Sequence, residues 1–406
     1  MSLITLFYRS IYTITDYKSS GRKGAQAKDE EVLVMEKVSG QKRKSRLRGW
    51  VFWPPFLVLL MVLILGFVSQ DAFLKVVNGV KDWIWGNFKW LFSGYGLAAV
   101  GVCFYACFSK FGNTVIGGKD AKPILGKFNW FAISLCTTIA AGLMFWAAAE
   151  PLYLMSDPSP FFDIEPNSPQ AAVFAMAQMY LHWGITPYAI YALAATVFAF
   201  TYYNMKKPFS LGACISPLLG ERATKGRLAD IIDALCIFIL CAGMSGSLST
   251  GAFSVAGGIS NITGIPTNGI MLIIVMAAII LVYTISASSG IMKGIKWLSS
   301  FNVYIFSFLI LFIFLFGPTK FILNFGVESV GELMDSFFMR NLFTDSMNLG
   351  NSSWSSLGNM KVGYWASYLA WAPVTALFLG KLARGYKIRD CIIINLFVPT
   401  VFSMIW

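Results

Sequence analysis

Runs of about 20 apolar residues recur along this chain, and they limit its fold more than any other feature. A run of about 20 apolar residues can cross the hydrocarbon core of a bilayer as a helix. Charged residues make up 13% of the chain, against about 25% in soluble domains, which favours a membrane protein. The runs lie at 51–69, 90–109, 129–154, 171–203, 230–262, 269–289, 298–317, 360–383 and 390–406. The sequence therefore predicts an all-α polytopic membrane protein with nine spans.

Basic residues are distributed unequally between the loops. The loops 110–127 and 204–228 are rich in Lys and Arg, whereas 155–170 contains neither. Loops rich in Lys and Arg stay on the cytoplasmic side of a membrane. This alternation predicts a multi-pass protein of the cell membrane, in contact with the lipid bilayer, with its N-terminus in the cytoplasm.

The N-terminal segment 1–49 is a basic tail. It contains eleven Lys and Arg against five Asp and Glu, which is half of the net charge of +12. We interpret it as a cytoplasmic anchor that faces anionic lipid, and not as a nucleic-acid-binding segment. An osmosensing or regulatory role for the tail is the alternative.

Segment 318–345 differs from the spans because its apolar residues alternate with charged ones. Pro318 ends the preceding span, and Glu328, Glu332 and Arg340 are interspersed with phenylalanines. This pattern predicts an amphipathic helix that lies against the bundle or in the membrane interface.

Aromatic residues gather inside the fourth and eighth spans. Gly184 and Pro187 are expected to loosen the helical hydrogen bonding of the fourth span beside them, because proline cannot donate a helical hydrogen bond. Aromatic faces attract a poorly hydrated cation such as a quaternary ammonium. The aromatic residues are Trp183, Tyr188 and Tyr191 in the fourth span and Tyr364, Trp365, Tyr368 and Trp371 in the eighth, and they are candidates for surrounding such a cation.

Two other segments are candidates for binding an alkali cation. The small residues at 137–142 in the third span include Ala140, and an unwound backbone there would expose carbonyl oxygens. The fifth span carries hydroxyls at Ser245, Ser249 and Thr250. Helix packing for the first segment and interhelical hydrogen bonding for the second are the alternatives.

The chain lacks the residues of a membrane-embedded enzyme. His182 is its only histidine, and no Ser–His–Asp set or metal-ligand set can be completed around it. We interpret His182 as a hydrogen-bonded structural group. Glu150, which precedes Pro151, is interpreted as a solvated or paired carboxylate at a helix end, with a proton relay as the alternative. We therefore expect no catalytic residues, no cofactor and no resident metal other than a coupling cation.

Several short motifs resemble those of the betaine–choline–carnitine transporter family. The resemblance covers about 300 residues, in the order in which the family has them. The motifs are Ser109–Gly112, Lys122-Pro123, Trp130, Glu150-Pro151, His182–Gly184, Ala189–Tyr191, Lys293–Ser299, Trp371–Pro373, Ala383–Gly385, Arg389 and Pro399.

The resemblance implies a secondary active transporter, coupled to Na⁺ or H⁺, for betaine, choline, carnitine or a similar cationic or zwitterionic solute taken up as an osmoprotectant. It implies a LeuT-like fold with two inverted repeats of five helices, and often a homotrimer. It also implies an aromatic box on the fourth and eighth spans, which makes Trp183, Tyr188, Tyr191, Tyr368 and Trp371 the candidate substrate-binding residues. Tyr188 and Tyr368 stand where many betaine carriers have tryptophan. The run at 138–142 lacks the glycines that many Na⁺-coupled members have.

This family pattern divides the chain into segments. Tail 1–49 is followed by two peripheral helices in 50–128, the first repeat in 129–317, the amphipathic helix in 318–345 and the start of a second repeat in 360–406. Since the second repeat is incomplete, we expect either a fragment of a longer transporter or a chain inactive on its own. A non-transporting membrane sensor on a transporter scaffold is the other alternative.

Overall fold

The computed structural model describes residues 48–138, 140–289, 294–350, 352 and 355–406, with the side chains of residues 140 and 141 excepted. Residues 1–47 of the predicted basic tail lie outside the described residues, as does Lys293 of the family motif. The tail's lipid-facing role therefore stays a prediction.

The described residues fold into α-helices joined by short connections. The helices are α1 Gly49–Val68, α2 Gln70–Phe108, α3 Lys127–Thr138, α4 Ala140–Ser156, α5 Pro169–Trp183, α6 Ile185–Ala199, α7 Gly212–Leu219, α8 Arg227–Thr263, α9 Gly269–Ser288, α10 Lys296–Phe316, α11 Thr319–Leu342, α12 Leu357–Leu382, α13 Ile388–Ile392 and α14 Val398–Ile405. Single 3₁₀ or π turns lie at Lys110–Asn113, Pro160–Phe162, Phe200–Asn204, Gly220–Ala223 and Ile393–Phe397.

These helices provide the predicted spans. Across the described ranges, eight helical segments are long and apolar enough to cross a membrane, and the pair α3–α4, bent by 57°, makes a ninth if it counts as one span. Each of the nine predicted apolar runs lies on one of these segments. The prediction of an all-α, multi-pass membrane protein is confirmed. The arrangement into inverted repeats stays a prediction.

The second span is longer than its apolar run indicates. The run begins at residue 90, whereas α2 begins at Gln70 and has 39 residues. A helix of that length measures about 58 Å, nearly twice the hydrocarbon thickness. Lys75, Lys81 and Asp82 lower the apolarity of its first half, which is why a hydropathy pattern alone places the start of the span too late.

The fourth span, α5 and α6, lies at the centre of the molecule. Most of its side chains are buried, and α6 packs against α12 and α2 while α5 packs against α4 and α11. Helices α1, α9 and α10 instead expose apolar side chains along much of their length. In a membrane protein such surfaces face lipid, because lipid tails are as apolar as the side chains.

The amphipathic helix predicted at 318–345 is present as α11. Its buried residues include Leu333, Arg340 and Asn341, and it packs against α5 and α2. The helix thus carries a basic side chain directly to the central span.

A backbone pairing joins two loops at one end of the bundle. The Ile116 amide donates to the Tyr386 carbonyl at 2.9 Å, and the Gly385 amide donates to the Ile116 carbonyl at 2.9 Å. Gly385 has φ +81°, and a Cβ there would lie 2.3 Å from the backbone of Lys122. Glycine is therefore required for the loop that follows α12 to approach the loop that follows α2.

A close contact between α12 and α6 depends on Gly380. A Cβ at this position would lie 2.7 Å from the Ala195 carbonyl oxygen and 2.8 Å from the Phe198 ring, both on α6. We predict that Gly380→Ala forces α12 away from α6 and destabilises the protein by about 1–3 kcal/mol. The measurement is the thermal unfolding midpoint in detergent.

Gly258→Ala on α8 is the matched control, because no atom lies within 4 Å of its Cβ position. Gly258→Ala should leave the midpoint unchanged or raise it slightly. Equal midpoints for the two variants would contradict the close contact between α6 and α12.

Candidate functional site

The central span is broken at Gly184. Helix α5 ends at Trp183 and α6 begins at Ile185, and Gly184 between them has φ −111° and ψ −131°. A Cβ at Gly184 would lie 2.2 Å from the Tyr180 carbonyl oxygen, so the close turn requires glycine. The predicted loosening of this span is confirmed at Gly184, whereas Pro187 lies within the first turn of α6.

The break leaves backbone carbonyls without helical partners, and one of them is bound by α12. The Tyr368 hydroxyl donates to the His182 carbonyl at 2.6 Å. A buried carbonyl that lacks a partner is costly inside a membrane, so Tyr368 stabilises the break as well as presenting a ring to it.

Four aromatic rings meet at this break, and we call Trp183, Tyr191, Tyr364 and Tyr368 the aromatic cluster. Tyr368 lies edge-on to Trp183 and Tyr191, with ring centroids 6.2 and 5.7 Å apart. Tyr364 lies edge-on to Trp183 at 5.6 Å. Such edge-to-face contacts are favourable arrangements of aromatic rings. The structure thus brings together three of the five candidate substrate-binding residues.

The other two candidates lie beside the cluster. Tyr188 is fully buried, and its hydroxyl shares a hydrogen bond of 2.8 Å with the Ser403 hydroxyl of α14. Trp371 packs against α8, where its indole would lie 3.2 Å from a Cβ at Gly243. Trp183 makes a similar contact with Gly142 of α4. Glycines on two neighbouring helices therefore make room for the two tryptophans.

Glu150 is fully buried beside the aromatic cluster. Its carboxylate accepts hydrogen bonds from the Trp183 indole at 2.6 Å and the Tyr364 hydroxyl at 2.7 Å, and the His182 ring nitrogen Nδ1 lies 2.5 Å from its other oxygen. The interpretation of Glu150 as a paired group holds, but the group is neither solvated nor at a helix end, because α4 continues through Pro151 to Ser156. His182 is a hydrogen-bonded group, as predicted.

The hydrogen-bonded chain continues from His182 to α11. The Gln178 amide nitrogen lies 2.9 Å from His182 Nε2, and its amide oxygen accepts from the Arg340 guanidinium at 3.0 Å. Arg340 also donates to Glu332 at 2.6 Å. Burial lowers the pKa of Arg340 from its ordinary value, and Glu332 opposes that shift. We call this series, Glu332–Arg340–Gln178–His182–Glu150, the polar chain.

Lys361 of α12 fixes the end of α11. Its ammonium donates to the carbonyls of Asn341 at 2.6 Å, Phe343 at 2.5 Å and Arg340 at 3.1 Å. A cation at the C-terminus of a helix satisfies unpaired carbonyls and complements the helix dipole. The sequence prediction did not include Lys361, because a single lysine in an apolar segment does not show which carbonyls it binds.

The structure does not gather the candidate ion-binding oxygens around one point. The hydroxyls of Ser245, Ser249 and Thr250 each donate to the carbonyl four residues earlier in α8. Ala140 is the first residue of α4, directly after the bend, and its side chain lies outside the described part of the chain. The assignment of these residues to an ion site stays a prediction.

A family model described as the betaine/carnitine/choline family transporter matches residues 50–406. The chain belongs to this transporter family. It is 30% identical to a glycine betaine transporter of Bacillus subtilis over 88% of this chain and 69% of the relative. It is 31% identical to glycine betaine transporter 1 of Vibrio parahaemolyticus, over 86% and 66% respectively, and 29% identical to a betaine/ectoine transporter of Corynebacterium glutamicum, over 89% and 57%.

Family membership confirms the resemblance seen in the motifs. Members are transporters and not enzymes, so the exclusion of enzymatic activity is confirmed. The aromatic cluster and the polar chain lie within the matched residues, at the centre of a transporter of the betaine/carnitine/choline family.

Arg340 should be necessary for the stability of the polar chain. We predict that Arg340→Met destabilises the protein, because it leaves Gln178 and Glu332 without their donor. Gln178 is buried, and a buried acceptor that loses its partner costs about 1–3 kcal/mol, whereas the partly exposed Glu332 costs less. Thermal unfolding in detergent measures the loss. Arg222→Met, at an exposed arginine, is the control and should not change the midpoint. Equal effects of the two substitutions would show that the polar chain adds nothing to stability.

Proposed function

We propose that this chain is a secondary active transporter, coupled to Na⁺, for quaternary ammonium and similar zwitterionic solutes such as glycine betaine, choline or carnitine. The aromatic cluster is the observation that carries the proposal. It places an indole and three phenol rings at a break in the central span, where a desolvated cation gains about 2 kcal/mol or more from an aromatic face. The names of the relatives support the same class of solute.

Three of the four rings of the aromatic cluster are buried in this structure, and Tyr364 is partly exposed. Trp183, Tyr191 and Tyr368 expose 6%, 1% and 4% of their surface. A separate cavity of 340 Å³ is lined by Cys107, Phe108, Arg389, Ile393 and Phe397, and none of the candidate substrate-binding residues lines it. A solute therefore reaches the three buried rings only after a neighbouring side chain moves. Such closure is expected of a transporter, which must shield its substrate site from at least one side of the membrane.

Coupling to Na⁺ is part of the proposal. The bend between α3 and α4 lies shortly before Gly142, which contacts Trp183 of the aromatic cluster. Helix α8 packs against α4. Backbone carbonyls at a broken helix are typical ligands of a coupling cation in transporters of this kind. Rotation of the hydroxyls of Ser245, Ser249 or Thr250 away from their own helix would add oxygen ligands.

The proposal includes the membrane arrangement implied by the family. The fold would be the LeuT-like inverted-repeat fold, in the cell membrane, with a cytoplasmic N-terminus and three copies to an assembly. The positive charge of alternate loops supports the orientation, and the bend between α3 and α4 and the break at Gly184 support the fold, whereas the trimer rests on the family resemblance alone.

Trp183 should be necessary for substrate binding. We predict that Trp183→Ala weakens binding of glycine betaine to the full-length protein by about tenfold or more, since it removes a ring from the site. Isothermal titration calorimetry in lipid nanodiscs measures the affinity. Trp297→Ala, at a tryptophan that is 67% exposed on α10, is the control and should bind normally. Unchanged affinity in Trp183→Ala would remove the aromatic cluster as the site, and binding without uptake in liposomes would favour a sensor.

Na⁺ coupling predicts a cation requirement for uptake. Glycine betaine uptake into liposomes should need an inward Na⁺ gradient, and Ser249→Ala should raise the Na⁺ concentration for half-maximal uptake. Ser288→Ala, at an exposed serine that ends α9, is the matched control. Equal uptake with K⁺ in place of Na⁺, at constant pH, would contradict Na⁺ coupling. Normal Na⁺ dependence in Ser249→Ala would remove that hydroxyl from the ion site.

A further inference from the structure

Arg340 fixes the direction of every hydrogen bond along the polar chain. A guanidinium only donates, so the Gln178 atom that faces Arg340 is the amide oxygen. The amide nitrogen of Gln178 therefore faces His182 Nε2 and donates to it. A ring nitrogen that accepts has no proton, which assigns the proton of a neutral imidazole to Nδ1.

The neutral imidazole leaves a charge on Glu150. The proton on Nδ1 is donated to Glu150, whose other oxygen receives the Trp183 and Tyr364 protons. All three donors are neutral groups. At the other end of the polar chain, Arg340 is already paired with Glu332. Within the described ranges, no lysine or arginine forms an ion pair with Glu150.

We propose that Glu150 is an ionised carboxylate that supplies the counter-charge for the cationic head of the transported solute. This inference rests on the proposed function and concerns the same site. The carboxylate lies one hydrogen bond from two rings of the aromatic cluster, so a cation held on those rings also lies close to Glu150. A buried charge is costly without an opposite charge, and the solute provides one.

The counter-charge discriminates between two kinds of quaternary ammonium. Choline carries a net positive charge, so Glu150 attracts the whole choline molecule. Glycine betaine has the same trimethylammonium head but adds a carboxylate, which Glu150 repels. Arg340 already donates hydrogen bonds to Glu332 and Gln178, so its guanidinium is less available to bind the carboxylate of glycine betaine. Glu150 therefore favours net-cationic solutes more than zwitterionic ones.

The test compares the two ligands on charge-altering variants. Choline and glycine betaine are titrated into the full-length protein in lipid nanodiscs, with wild type, Glu150→Gln and Glu150→Asp. Glu150→Gln should weaken choline binding about tenfold more than glycine betaine binding, because it removes the charge but keeps the size. Glu150→Asp keeps the charge and should restore the wild-type ratio of the two affinities. Glu328→Gln, at an exposed carboxylate on α11, is the matched control and should leave the ratio unchanged.

Each other outcome has a definite meaning. Equal loss of both ligands in Glu150→Gln would overturn the counter-charge and leave Glu150 as a group that orients Trp183. Failure of the wild type to bind either ligand would overturn the proposed function, and the counter-charge with it. If Glu150→Gln does not fold, infrared spectra of the wild type labelled with ¹³C-glutamate decide the matter. An ionised buried carboxylate supports the proposal, and a protonated one overturns it.

Discussion

The Arg340 guanidinium is the interaction on which the order of the site depends. It is a permanent donor, so the amide, the imidazole and the carboxylate that follow it each have one orientation. A buried arginine is tolerated because Glu332, Ser336 and Gln178 accept from it. Its position is set in turn by Lys361, which binds the carbonyls at the end of the same helix. Helix α11 thereby connects the ion pair between Arg340 and the partly exposed Glu332 to the hydrogen bonds at the centre of the bundle.

The break in the central span is where the polar chain meets the aromatic cluster. Irregular backbone at membrane depth persists only where protein surrounds it and satisfies its polar groups. Here Gly184 permits the break, Tyr368 binds the released carbonyl of His182, and Glu150 holds the rings that line the break. The same side chains that present aromatic faces also stabilise the backbone, so a substitution in the cluster changes both.

The sequence predicted the spans well and the site in part. Apolar runs report membrane crossing directly, because hydrocarbon excludes unpaired backbone and charge. Trp183, Tyr191 and Tyr368 are predicted because aromatic residues gather inside two apolar spans and match the positions of the family's aromatic box. Gln178 and the buried role of Arg340 were missed, since 162 positions separate the two and no local pattern links them. For the hydroxyls of α8, the local spacing identifies residues on a shared helical face. It does not show whether each hydroxyl donates to a carbonyl of its own helix, as these do, or is available to a ligand.

Moving Trp183 to admit a solute would exchange one partner of Glu150 for another. Trp183 cannot move to admit a solute without giving up its bond to Glu150. A carboxylate that loses a buried donor is destabilised by about 1–3 kcal/mol, which opposes opening in the absence of solute. Under the proposed function, a quaternary ammonium that arrives at the rings would replace the lost donor with a positive charge. An uncharged solute of the same shape offers no such replacement, so the bond that keeps the cluster closed also selects the class of solute that opens it.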